Sequence, residues 1–259
     1  MKTIRMKFDA SDFRWHRSLP VIEVTLCDAP AGTKQYRCSV CTNDAAVFRA
    51  FEIHRLSRGD AGYPVPVADE YDGRSWFVQA QDLDSRDTFA SLRLTPRSAG
   101  PLEAERYFPF PSSVQSLAEI SVVAFARCGQ TNAAAQSAVR LGVVGVAFAF
   151  LQAACVEFVA TCCPLEDARA YERLGLTRTR LVAECPRQPG ALQVLLHADL
   201  RCGGRQLPAG PLRDLLASLP PTERIAPEDL PPLGLGTVRI IRDPICAGGA
   251  RRRRARGAK

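Results

Sequence analysis

Apolar and polar positions alternate along the chain in short runs, broken by clusters of Gly, Pro and Asp. Residues 35–41 alternate and read as a strand. Thr42, Asn43 and Asp44 follow as capping residues, and the spacing predicts a helix over about 45–57. After a loop holding Gly59, Gly62, Pro64 and Pro66, residues 75–81 and 88–94 flank the turn-rich stretch 82–87 and predict a hairpin. A Pro-rich connection, 96–111, leads to one further strand over 117–125. An Ala/Val-rich segment ending near Ala153 reads as a buried helix, and 155–161 as a buried strand. Residues 166–174 predict a short amphipathic helix closed by Gly175, with two last strands near 179–183 and 193–200. Upstream, 21–26 is a strand candidate in an otherwise irregular start.

This order is an α+β layout with a central mixed sheet flanked by helices. It divides the chain into an N-terminal extension (1–34), a main domain (35–202), a Pro-rich extension wrapped on that body (203–247, with one short helix over 211–218) and a disordered basic tail (248–259).

Charge changes the picture less than its total suggests. The net charge is +7, yet Arg251, Arg252, Arg253, Arg254, Arg256 and Lys259 supply six positive charges; taking those six from +7 leaves +1 for the rest. No basic helix remains once the tail is removed, which argues against sequence-specific nucleic-acid binding. The ten cysteines come without a secretory signal and are expected to be reduced core thiols of a cytoplasmic protein. Cys38 and Cys41 lie three apart on a strand, hence on opposite faces, and no metal site is expected. The apolar stretch 141–159 is interrupted by Gln152 and Glu157, so no transmembrane segment is expected. His16, His54 and His197 stand at no motif spacing, and neither GxSxG nor HExxH occurs.

Candidate chemistry lies in the carboxylates. Asp69 and Asp72 are three apart in the loop before the hairpin, and Arg93 ends its second strand, a set suited to charge-assisted, bidentate contacts. Glu119 stands alone on an apolar strand, where partial burial raises a carboxyl pKa toward that of a useful base.

Four segments in order carry a resemblance: Asp69-Glu70-Tyr71-Asp72-Gly73-Arg74-Ser75; Ser91-Leu92-Arg93-Leu94-Thr95-Pro96; Pro101-Leu102-Glu103 with Ala118-Glu119-Ile120-Ser121; and Ala170-Tyr171-Glu172-Arg173-Leu174-Gly175-Leu176. The last resembles the FYxxLGF signature of GNAT acyltransferases. With the other three, the chain is similar over about residues 36–200 to their bacterial, acyl-carrier-protein-dependent branch. That branch comprises long-chain N-acyl amino acid synthases, exosortase-associated acyltransferases and, more distantly, acyl-homoserine-lactone synthases.

The resemblance implies a GNAT fold and an N-acyltransferase that moves a fatty acyl chain from acyl carrier protein, or acyl-CoA, to a small-molecule amine such as an amino acid. No permanently bound cofactor is implied. Glu119 would receive the amine's proton, and Tyr171 would protonate the leaving sulfur. Asp69, Asp72, Arg93, Ser121 and Trp76 would form the substrate side; Phe125, Arg127, Gly129 and Arg140 would form the donor side. The related enzymes usually carry Arg where Val122 stands. Their diphosphate loop, RxxGxG/A, has as its nearest counterparts here Arg127-Cys128-Gly129 and the stretch from Arg140 to Gly145. The competing readings are an acyl-homoserine-lactone synthase using S-adenosylmethionine and a GNAT-fold protein that binds a ligand or partner without turnover.

Overall fold

The computed structural model describes residues 5–7, 13–16, 19–28, 32–60, 69–126, 133–185, 190–201, 206–218 and 224–234. Their strands are β1 (Arg5–Lys7), β2 (Phe13–His16), β3 (Leu19–Asp28), β4 (Gly32–Val40), β5 (Trp76–Asp82), β6 (Thr88–Pro96), β7 (Leu117–Ile120), β8 (Ala124–Phe125), β9 (Phe158–Pro164), β10 (Thr177–Glu184) and β11 (Leu192–Asp199). The helices are α1 (Asp44–Asp60), α2 (Ala133–Ala153), α3 (Ala168–Arg173) and α4 (Pro211–Ser218). All strands belong to one sheet, ordered β1-β3-β4-β5-β6-β7-β9-β11-β10, with β2 paired to β3 and β8 to β6. Every pairing is antiparallel except β7 with β9, so the sheet is mixed, as the pattern predicts.

Period-2 alternation sorts the strand side chains onto two faces. One carries Tyr36, Cys38, Trp76, Val78, Leu92, Leu94, Ala118, Ile120, Val159 and Val194, and packs with α2, α3 and α4 into the largest apolar cluster. The other carries two smaller clusters. Phe77 and Cys41 pack with Ala46, Ala50 and Phe51 of α1, while Leu117, Ala160 and Leu195 pack with Leu102, Ala104 and Phe108 of the connection before β7. Between these two clusters the face is polar: Ser91, Arg93, Thr95 and Glu119.

Local chemistry explains the element ends. Asn43 Oδ1 accepts the Ala46 amide at 3.0 Å, capping α1. After α3, Gly175 takes φ +99; its amide donates to Glu172 O at 2.9 Å and that of Leu176 to Tyr171 O at 3.1 Å. This is a Schellman close, and it gives the Leu-Gly-Leu of the signature its physical reason. In α2, a Cβ on Gly142 would meet Val24 Cγ2 at 2.7 Å and Cys38 Sγ at 2.9 Å, and one on Gly145 would meet Leu215 Cδ2 at 2.5 Å. These glycines therefore admit β3, β4 and α4 to the helix surface. They are mid-helix packing positions, not a phosphate loop. By length and composition α2 could cross a membrane, but 72% of its apolar window is buried inside the protein.

Three expectations are corrected. The stretch 117–125 is two strands, not one. The boundary after residue 34 falls inside the β3–β4 hairpin, and Ile22, Val24 and Leu26 join the main core, so β3 is part of the body. The strand expected over 155–161 begins at Phe158, because Cys155, at φ +59, turns the chain after α2.

Candidate active site

The loop before β5 folds around its own carboxylates. Asp69 Oδ1 accepts the Tyr71 and Asp72 amides at 2.8 and 3.0 Å, and Asp72 Oδ2 accepts the Asp69 amide at 2.8 Å. Ser75 Oγ donates to Tyr71 O at 2.6 Å and lies 2.7 Å from Thr95 Oγ1, which closes the loop onto β6. Arg93 enters from β6. Its Nη1 donates to both oxygens of Asp69 at 2.9 Å and to Asp72 Oδ1 at 2.8 Å, and its Nη2 to Glu103 Oε2 at 2.6 Å. One guanidinium, 2% exposed, thus holds three carboxylates. Burial opposes its charge, but Asp69, Glu103 and Asp72 outweigh that and raise its pKa. The Asp72 carboxyl is also raised, because burial outweighs the pull of Arg93. The Tyr71 ring lies under the guanidinium carbons of Arg74, Arg106 and Arg93 at 4.7, 5.2 and 5.4 Å.

Glu119 stands on the same face one strand further on, paired in register with Thr95. Both its oxygens accept the Ala104 amide at 3.1 Å, and the residue is 6% exposed. Burial pushes its carboxyl up to about 7, helped by the charge of Glu103 and opposed by the Ala104 amide and Arg93. A carboxyl of that pKa exchanges protons readily near neutrality. Glu103, in the third of the four segments, joins Arg93 to Glu119: nothing in its local pattern sets it apart from its neighbours Glu105 and Arg106. Its side chain holds Arg93 while the next amide holds Glu119, so a single peptide unit ties the two halves of the site together.

The break between β7 and β8 is a bulge. Leu94 pairs with Ile120 and Ser91 with Ala124, so four steps on one strand face three on the other. One residue is extra, and it falls at Val122–Val123. Pairing of β7 with β9 ends at Glu119–Ala160; beyond it β8 stays with β6 while β9 continues beside β11, and a wedge opens. Tyr171 closes the wedge from the α2 face, its hydroxyl oxygen accepting the Val123 amide at 3.0 Å. Burial raises the Tyr171 pKa well above the ordinary tyrosine value, so the hydroxyl keeps its proton. Glu119 and Tyr171 therefore flank the start of the wedge from opposite faces.

The remaining predicted residues divide. Ser121 Oγ accepts the Arg93 amide at 3.0 Å and the Ser121 amide donates to Arg93 O at 3.0 Å, which fastens the bulge to β6. Trp76 is corrected. It points to the other face, edge-on to Phe150 at 5.1 Å, with its indole N–H on Pro231 O at 2.8 Å, away from the carboxylate cluster. Phe125 and Arg140 do meet, the guanidinium carbon lying 5.5 Å from the ring centroid. Arg127 and Gly129 lie outside the described residues. Cys38 joins the main core and Cys41 the α1 cluster, on opposite faces as their spacing predicts. Burial raises the thiol pKa of Cys38 strongly and pushes that of Cys41 up to about 12. On the same face as Glu119, with β6 between, a groove of about 580 Å³ opens beside the start of α1, lined among others by Arg37, Ser39, Asn43, Gln79 and Gln81.

No family model and no curated protein matches the chain. Solved structures do. FeeM, an N-acyl amino acid synthase from uncultured soil microbes, matches with a TM-score of 0.51 at 10% identity, over 64% of this chain and 91% of its own. TofI, solved in a ternary complex with an inhibitor and MTA, matches with a TM-score of 0.51 at 17% identity, over 71% of this chain and 97% of its own. The fold is that of the GNAT-type N-acyltransferases. At these identities the likeness is one of fold, and it meets the expectation drawn from the four segments. On this GNAT scaffold, three of the four segments converge on Arg93 and Glu119. The fourth brings Tyr171 to the wedge.

Proposed function

We propose that the protein is an N-acyltransferase that moves an acyl group from a pantetheine thioester, carried by acyl carrier protein or CoA, to a small amine. The observation that carries this reading is the buried carboxyl of Glu119, pushed up to about 7, at the point where the sheet opens beside the Tyr171–Val123 contact. Aminolysis of a thioester needs a neutral amine, a polarised carbonyl and a stabilised thiolate. The Glu119 carboxylate takes the proton from the amine nitrogen as that nitrogen attacks the acyl carbon. The oxyanion that develops on the acyl oxygen needs a hydrogen-bond donor, a role for a backbone N–H of the bulge. Breaking the C–S bond releases a thiolate, which accepts a hydrogen bond from Tyr171; the Val123 amide on the tyrosine oxygen leaves the hydroxyl hydrogen free for that role.

Charge balance favours a cationic acceptor. Asp69, Asp72 and Glu103 all bond the guanidinium of Arg93, Glu70 and Glu119 add two further carboxyls nearby, and only Arg74 and Arg106, beside Tyr71, add positive charge among the described residues of this cluster. Val122, where the resembled enzymes usually carry Arg, brings no positive charge to offset them. An ammonium group therefore gains more from this site than a carboxylate does. An acyl-homoserine-lactone synthase using S-adenosylmethionine is the competing reading, so S-adenosylmethionine belongs among the acceptors tested.

The test is incubation of the purified protein with acyl carrier protein thioesters or acyl-CoA and panels of amines, with mass spectrometry for N-acyl products. Product that vanishes in Glu119→Gln supports the reading. Absence of product from every donor with the wild-type protein, or equal product from the variant, refutes it.

A further inference from the structure

The chain after α4 ends its described course against the loop that carries Asp69 and Asp72. Three hydrogen bonds fix its path. The Ile225 amide donates to Ala153 O at 3.0 Å, at the end of α2. Pro231 O accepts the Trp76 indole N–H at 2.8 Å. The Gly234 amide donates to Ser75 O at 2.9 Å. Gly234 has φ +75 and lies so close to Gly73 that an added Cβ would run into the Gly73 carbonyl. Both features demand glycine there.

These contacts bear on the segment 73–76, directly after Asp72. The loop meets Arg93 through Asp69 and Asp72 on one side and, on the other, a strap formed by residues 231–234 through Ser75 and Trp76. Only the single 3₁₀ turn Asp72–Arg74 separates the two anchorages. A shift of the strap therefore reaches the carboxylates with little flexible backbone to absorb it. Trp76 also locks the turn to the core, since its ring packs edge-on against Phe150 while its N–H is held by the strap.

We infer that residues 231–234 are positioning residues of the active site: they hold the turn before β5 so that Asp69 and Asp72 meet Arg93 in one geometry, the geometry that receives the acceptor. The acceptor half of this statement rests on the acyl-transfer reading; the mechanical half does not.

Two full-length variants test it. Gly234→Ala puts a methyl group against Gly73, and Trp76→Phe removes the bond to Pro231 while keeping an aromatic ring beside Phe150. Hydrogen exchange of the peptide spanning 69–76 is expected to quicken about tenfold in Gly234→Ala, and by less in Trp76→Phe, with α2 and β9 unchanged. In turnover, the acceptor KM is expected to rise about tenfold with donor KM and kcat within about twofold. Exchange at 69–76 equal to wild type, or raised alike across the whole molecule, overturns the inference, as does a fall in kcat at unchanged acceptor KM. If the wild type turns over no acyl donor, the acyl-transfer reading falls while the exchange measurement still decides whether the strap orders the loop.

Discussion

Glu119→Gln probes the buried carboxyl by stability as well as by rate. The group ionises near 4.5 when exposed and near about 7 in the fold. Between those values the folded chain binds more protons than the unfolded one, so stability falls as pH rises through this window and levels off above it. The sign follows from the raised pKa, since the fold disfavours the carboxylate. At roughly 1.4 kcal/mol per unit, the shift amounts to about 3 kcal/mol. Gln cannot ionise, and its side-chain oxygen can still accept the Ala104 amide. The variant should match the wild type at about pH 4 and exceed it by about 3 kcal/mol at about pH 8. Urea unfolding of both proteins across that range measures the difference directly. A difference that stays flat with pH would refute the buried, proton-holding carboxyl. The rate should move the other way: wild-type kcat/KM rises with pH through about 7, and the variant loses about 10²- to 10⁴-fold together with that inflection. A protein both more stable and less active is the signature of a strained catalytic group.

Three further outcomes follow from the packing around the site. Tyr171→Phe leaves the Val123 amide, now bonded at 3.0 Å, without its acceptor; about 1–3 kcal/mol of stability should be lost in thermal unfolding, and single-turnover thiol release should slow by about 10²-fold. Arg93→Met takes from Asp69, Asp72 and Glu103 the buried guanidinium that all three bond. Denaturant titration should show a loss of about 3–5 kcal/mol near neutrality and less at about pH 4, where carboxyls can protonate. Gly142→Ala forces a methyl group against Val24 and Cys38 and should cost about 1–3 kcal/mol in the same titration with little change in the KM of either substrate.

Much of the fold could be read from periodicity because most elements carry one clear pattern. The cap at Asn43, the close at Gly175 and the helix at Pro211–Ser218 lie where local chemistry puts them. The hairpin was also legible, but not which way Trp76 points. Trp76 and Phe77 are adjacent and both aromatic, so alternation fits either face; only the pairing of Phe77 with Arg93 and of Trp76 with Leu94 decides it. In the Pro-rich region after α4, Pro and Gly mark turns without naming partners. Its contacts with Trp76 and Ser75 span some 155 residues of sequence, a separation no local pattern reports.

The bulge is the element that local pattern does not report. Bulges that can be read in advance announce themselves by Gly or by a break in polarity. Here Ile120-Ser121-Val122-Val123-Ala124-Phe125 is apolar apart from Ser121, which fits one uninterrupted strand buried on both faces. What breaks the strand is a loss of partner. Past Glu119–Ala160, where the pairing with β9 ends, the bulged residues have no paired strand on that side, and Tyr171, fixed from α3 by the Gly175 turn, supplies the missing acceptor to Val123. Position 119 was legible because a carboxyl on an apolar strand conflicts with its surroundings, and such conflicts concentrate where function outweighs stability. The bulge makes no such conflict in composition, only in connectivity. That asymmetry explains why the acid is legible from a single residue, whereas the opening beside it is a property of the whole sheet.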